Sequence, residues 1–173
     1  MIGNKISRKG FLLKSLVLIP GLVYAPQILF SQQPKKSPAI DASVVNEYVK
    51  VAHSDFNKVK DMLHEHPSLL NAAWDWGGGD FETAIGAAAH MGLKEIVNYL
   101  LEKGARSDIF VLAMLGKTDI VKSMLKAFPS LLHSAGPHGF TLLHHAEKGG
   151  TEAEVLYNHL LASGLKEKFI KLN

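Results

Sequence analysis

The chain has 173 residues, of which 47% are hydrophobic and 20% charged, a composition typical of one folded domain rather than of a disordered chain. It contains no cysteine, which excludes disulfide bonds, thiolate metal ligands and a cysteine nucleophile. The formal net charge of +3 falls to −1 when residues 1–32, with four basic and no acidic side chains, are set aside, so the charge gives no support for nucleic-acid binding.

The first 32 residues are predicted to be an export signal. Basic residues at the start precede a short apolar run over 16–23, which a Pro-Gly pair interrupts. A helix of this length spans only about 12 Å, which is too short to cross a membrane. We therefore predict a cleaved signal peptide at 1–32 and a polar linker at 33–43, with an uncleaved anchor over 11–30 as the alternative.

The start of this leader resembles a twin-arginine export signal. The match covers Ser7, Arg8, Phe11 and Leu12, together with a lysine that follows them. It departs at Lys9, where that signal has its second arginine, so ordinary Sec export stays open as the other route. Either route implies an exported protein, periplasmic or extracellular, that contacts the membrane only through a leader that is not cleaved.

The remaining chain contains an internal repeat. Eight residues recur at a single offset of 62, including Pro67-Ser68-Leu69-Leu70 and Pro129-Ser130-Leu131-Leu132. Two further copies lie between and after these segments, so the repeating unit is about 31 residues long. Each unit contains two short apolar segments with helical spacing, separated by a turn. The predicted helix pairs are 44–53 with 56–65, 83–91 with 94–102, 108–115 with 118–127, and 141–148 with 152–163.

These units resemble the ankyrin repeat, which opens with Thr-Pro-Leu-His-x-Ala-Ala. The resemblance implies an all-α solenoid of about four imperfect helix-turn-helix units over 44–173, capped by a short helix at about 166–172. It also implies binding of an unidentified protein partner through hairpin loops and inner helices, without catalysis, cofactor or metal. The matching residues are Thr83, Ile85, Ala88, Ala89, Gly92, Gly116, Thr141, Leu143, His144 and Ala146.

The spacers between the units differ in length. The spacer at 104–108 is too short for a hairpin, whereas those that begin at Pro67 and Pro129 are long. Loops that lengthen on one side of a repeat stack usually form its binding face. The expected binding residues on this face are Trp74, Asp75, Trp76, Asp80, Phe81, Glu82, His90, His138 and His145.

Other interpretations of this loop face stay open. The two tryptophans form either a hot spot for a peptide or sugar, or a packing contact beside a glycine turn. A metal- or carbohydrate-binding site, with hydrolysis as a further option, is the alternative to protein binding. No Gly-x-Ser-x-Gly motif supports catalysis. The histidines considered for a metal site are His90, His138 and His145, with Asp80 or Asp108 as the carboxylate.

Overall fold

A computed structural model of the protein describes residues 38–172. The export signal predicted at 1–32 and the first part of the linker, 33–37, lie outside the described residues. Within the described range, no helix combines the length and the apolar character that a membrane span requires.

The described chain is mainly α-helical and contains one small antiparallel sheet. Strands β1 (Ala73–Asp75) and β2 (Phe81–Thr83) form this sheet, with Ala73 opposite Thr83. The predicted all-α class is therefore confirmed. Each helix of the four predicted pairs begins and ends within two residues of the observed helix. The helices are α1 Ala42–Val51, α2 Phe56–Glu65, α3 Ala84–Met91, α4 Lys94–Glu102, α5 Ile109–Met114, α6 Thr118–Ala127, α7 Leu142–Lys148 and α8 Glu154–Ala162.

Local sequence fixes where several helices begin. The side chain of Asp55 accepts a hydrogen bond from the backbone N–H of Lys58 at the start of α2, and Asp108 caps α5 in the same way. Thr83 caps α3 by accepting from the N–H of Gly86 at 3.2 Å. Because Thr83 is also the last residue of β2, this cap fixes the hairpin directly against the start of α3.

The first helices of the four pairs pack side by side, α1 against α3, α3 against α5, and α5 against α7. Fully buried alanines in α3 and α5 allow this close approach. Helix α7, the first helix of the fourth pair, also contacts α3 directly. The His144 ring nitrogen Nε2 lies 2.9 Å from the His90 carbonyl oxygen, and the Lys94 ammonium donates to the Gly149 carbonyl at 2.7 Å. The third pair therefore does not separate the second from the fourth.

The C-terminal segment corrects one expectation. Among the described residues, 166–172 form no helix and instead extend along the loop before α7. The N–H of Ile170 donates to the Gly139 carbonyl at 2.8 Å, and the N–H of Thr141 donates to the Lys168 carbonyl at 3.1 Å. The backbone of 139–141 presents an open edge, whose polar groups an extended segment can satisfy and a helix cannot.

We expect Gly116→Ala to destabilise the protein more than Gly150→Ala. Both glycines have left-handed backbone angles, with φ of 65° and 63°, so alanine costs about 1 kcal/mol at either position. A Cβ atom at Gly116 would overlap the Glu152 carbonyl oxygen, whereas one at Gly150 would meet nothing within 4 Å. Urea unfolding should therefore show a further loss of about 2 kcal/mol for Gly116→Ala. Equal losses would contradict the close packing of this turn.

Candidate metal centre

Three histidines and one glutamate converge beside the hairpin. His53 follows α1, Glu82 lies in β2, His90 lies in α3, and His138 lies in the loop before α7. Each side chain offers one ligand atom, and these four atoms all lie within 4.8 Å of one another. We call His53, Glu82, His90 and His138 the His–Glu cluster.

Glu82 is the centre of the cluster. Its side chain is fully buried, and His90 Nε2 lies 2.9 Å from its Oε1, while His138 Nε2 and His53 Nε2 lie 3.3 and 3.4 Å from its Oε2. The Trp76 indole N–H donates to Oε2 at 2.8 Å. Burial alone would raise the pKa of Glu82, but the contacts with His90, His53 and Trp76 outweigh it and hold that pKa below its usual value. Glu82 is therefore a carboxylate at neutral pH.

Two of the imidazoles are oriented through their second ring nitrogen. Nδ1 of His53 lies 3.1 Å from each of the carbonyl oxygens of Val49 and Lys50 at the end of α1. Nδ1 of His138 lies 2.8 Å from Oδ2 of Asp80. A proton on Nδ1 satisfies each of these contacts and leaves Nε2 with a lone pair facing Glu82. Histidines that bind metals are commonly held in this way.

His138 adopts an unusual backbone conformation. Its φ of 58° is the one positive value at a non-glycine position between residues 38 and 172. Asp80 holds this conformation, because its Oδ1 accepts from the His138 backbone N–H at 2.8 Å while its Oδ2 contacts the ring. Left-handed backbone at a bulky residue is strained and often marks a functional position.

An aromatic stack packs against the ring of His90. The Phe140 ring lies between the rings of His90 and His144, with centroid distances of 5.1 and 4.1 Å. Burial lowers the pKa of His144, and its Nε2 contacts the backbone carbonyl of His90. His144 is therefore a neutral supporting residue, and its ring nitrogen is directed to backbone rather than to the cluster.

Two buried atoms of the cluster lack hydrogen bonds. Oε1 of Glu82 and Nε2 of His90 lie 2.9 Å apart, but their relative orientation does not form a hydrogen bond. Neither atom has another hydrogen-bond partner in the described part of the chain. Buried polar atoms are nearly always satisfied, so this pair offers two free ligand atoms to a further group such as a cation.

The structure brings together five of the nine residues expected on the binding face, namely Trp76, Asp80, Glu82, His90 and His138. Trp74 is instead half-buried and packs against the hydrophobic core. Asp75 is exposed and accepts hydrogen bonds from the N–H groups of Gly77 and Gly79. Phe81 is 63% exposed on the hairpin. One tryptophan thus packs in the core, and the other supports Glu82.

His145 lies outside the cluster, which corrects its suggested convergence with His90 and His138. It is buried on another side of α7, where Nδ1 contacts the Thr141 carbonyl at 2.8 Å and the ring packs on Phe110. Burial lowers its pKa to about 4. Asp108 is likewise no ligand in this arrangement, because its carboxylate caps α5.

His53 is the cluster member that the sequence reasoning missed. It lies just after the first helix of the first pair, and no short motif links it to the other ligands. The aligned helix pairs contained a signal, because they place His53 and His90 near the ends of neighbouring first helices. Only the packing of α1 against α3 turns that correspondence into a contact, with the two rings 5.0 Å apart.

Comparison with known proteins finds no family model that matches the chain and no significantly similar curated sequence.

We expect His145 to make the protein less stable as the pH falls. Its folded pKa of about 4 lies below its ordinary value of 6.5, so the unfolded chain takes up a proton first. The free energy of unfolding should therefore decrease as the pH falls from about 6.5 to 4, by roughly 3 kcal/mol in total.

Urea unfolding at pH 7.0 and 4.5 checks this expectation in the wild type and in His145→Gln, which removes the titrating group. The wild type should lose more stability between these two pH values than the variant does. Equal losses would show that another group causes the acid sensitivity.

Proposed function

We propose that the protein binds a divalent transition-metal ion through the His–Glu cluster. Three imidazole nitrogens and one carboxylate are ligand types that Zn²⁺ accepts. The observation that carries the proposal is the pair of buried atoms, Glu82 Oε1 and His90 Nε2, that face each other without a hydrogen bond. A cation coordinated by both atoms would satisfy them.

The spacing of the ligand atoms supports a metal of this kind. Tetrahedral Zn²⁺ with bonds of about 2.0–2.1 Å holds its ligand atoms about 3.3 Å apart. His138 and His53 Nε2 lie 3.3 and 3.4 Å from Oε2 of Glu82, close to this spacing, whereas His90 Nε2 lies 2.9 Å from the other oxygen, Oε1. Side-chain shifts would bring the other atom pairs, at most 4.8 Å apart, to this spacing. Ca²⁺ and Mg²⁺ prefer oxygen ligands, so the nitrogen-rich cluster disfavours them.

A network of hydrogen bonds without a metal explains the cluster less well. Such a network requires a shared proton on a good line between each close donor and acceptor. The shortest contact, between His90 and Glu82, lacks that alignment. In the neutral tautomer with the proton on Nδ1, His53 and His138 direct lone pairs toward Glu82, as metal ligands do.

We expect the wild-type domain to bind one equivalent of Zn²⁺, and Glu82→Gln to weaken that binding by more than about 100-fold. Glutamine keeps the size of the side chain and removes the charge at the centre of the cluster. Isothermal titration calorimetry measures the affinity, and the fluorescence of Trp76 should change on binding because its indole contacts Glu82.

The control for this experiment is His133→Ala, which removes an exposed histidine outside the cluster. It should bind Zn²⁺ as the wild type does. A wild-type protein that binds no Zn²⁺, Co²⁺ or Ni²⁺, or a Glu82→Gln variant with unchanged affinity, would overturn the proposal.

We further propose that the helix pairs form an imperfect ankyrin-repeat stack and that the protein is exported. Four consecutive helix pairs, with first helices side by side, support the stack. Ala73 pairs with Thr83, and Ala135 pairs with Thr141, so two units begin with a comparable strand pair. The proposal of export rests on the sequence of residues 1–32.

A second candidate function is binding of a protein partner through the hairpin, without catalysis, as the ankyrin resemblance implies. The observation in its favour is the exposure of Phe81, an aromatic side chain that is 63% accessible next to the glycine turn of the hairpin. Aromatic residues are enriched in protein interfaces relative to the rest of the surface.

We expect a photo-crosslinking phenylalanine analogue at position 81 to capture a partner in an extract of the producing cells. The matched control is the same analogue at position 128, because Phe128 has the same exposed fraction of 63% but follows α6. An adduct of one mass at position 81 alone, lost with excess unlabelled protein, supports the hairpin interface. Equal adducts at both positions contradict it.

A further inference from the structure

The connection between the second and third pairs carries no hairpin. Residues 103–108 join α4 to α5 directly, within the part of the chain that the structure describes. The hairpin at 73–83 and the loop at 135–141 therefore meet without another hairpin between them. The contact between Asp80 and His138 bridges them across 58 positions of sequence.

We infer that the metal is a structural staple between these two loops, enclosed by four protein ligands, with His138 as the ligand that closes the site and Asp80 as its positioning residue. This inference rests on the metal binding proposed above. It assigns to the site a structural role and excludes a metal-bound water that could take part in hydrolysis.

The origin of the ligands supports a staple. His53, Glu82 and His90 come from the first two helix pairs and the hairpin between them. His138 comes from the loop that precedes the fourth pair and reaches Glu82 with its Nε2 at 3.3 Å. A metal bound to all four residues therefore joins segments that only folding brings together, and its binding energy contributes to the stability of that contact.

The number of ligands separates a structural site from a catalytic one. Structural Zn²⁺ has four protein ligands, whereas catalytic Zn²⁺ has three and leaves a position for water. Without His138, the remaining three ligands would form a site of the second kind. The side chain of His138 is 29% exposed, so its removal would open the cluster toward solvent.

Asp80 supplies the geometry that His138 needs. Its two oxygens bind the backbone N–H and the ring Nδ1 of the same residue, both at 2.8 Å. This double contact offsets the strain of the left-handed backbone at His138 and directs Nε2 inward. Asn at position 80 would retain an acceptor for the backbone N–H but lose the carboxylate that polarises the ring.

The test uses Co²⁺ alone as the probe, because tetrahedral Co²⁺ absorbs visible light far more strongly than five- or six-coordinate Co²⁺. The wild type should give strong tetrahedral absorption that azide does not change. His138→Ala should bind Co²⁺ more than about 100-fold more weakly and give a spectrum that azide changes, since an exogenous ligand now fills the fourth position. Asp80→Asn should bind about 10- to 100-fold more weakly and keep a tetrahedral spectrum.

Asp75→Asn is the matched control for Asp80→Asn, because Asp75 lies on the same hairpin but bonds only to its own turn. It should leave affinity and spectrum unchanged, and circular dichroism checks that each variant is folded. No metal binding by the wild type would overturn the proposed function itself. Metal binding with an azide-sensitive wild-type spectrum, or with unchanged affinity in both His138→Ala and Asp80→Asn, would overturn the staple alone.

Discussion

The buried carboxylate of Glu82 is the constraint on which the centre of this structure depends. A carboxylate without solvent must be compensated by charge or hydrogen bonds, or it would take up a proton. The Trp76 indole meets part of this requirement by donating to Glu82, and three imidazoles from separate elements contact the same carboxylate. The end of α1, the hairpin, α3 and the loop before α7 are thereby held in one arrangement. A bound cation would complete this compensation by placing a full positive charge beside the carboxylate.

The length of the spacers determines which residues can reach Glu82. A second hairpin between α4 and α5 would lie between the hairpin at 73–83 and the loop at 135–141, and it would keep His138 away from Glu82. Because 103–108 is short, α7 contacts α3, and the fourth pair lies directly on the second. The unusually long hairpin then supplies Asp80, which reaches across to His138. The short connection at 103–108 and the long hairpin at 73–83 thus act together to bring His138 to Glu82.

Helical periodicity and the 62-residue offset were sufficient to predict the helices, because these signals depend on local spacing and on which face is buried. Glu82, His90, Asp80 and His138 were expected on one face for another reason, because long spacers on one side of a repeat stack usually form its binding face. The pairing of His138 with Asp80 was beyond the sequence, since it depends on how the third pair packs. The direction of His145 depended on the rotation of α7, and the C-terminal segment is extended because its partner is an open backbone edge. Neither property is encoded by neighbouring residues.

Two of the four cluster residues, Glu82 and His138, lie in the irregular spacers of the repeat. The regular parts, with buried alanines and aliphatic residues, build the core. His138, with its left-handed backbone, and the long hairpin break the pattern and carry strain that the repeat does not require. Departures from a local rule persist when another interaction stabilises them. This chain has no cysteine and so no disulfide, and the metal proposed here would cross-link the two loops in its place, with a contribution that grows with the ratio of free metal concentration to the dissociation constant.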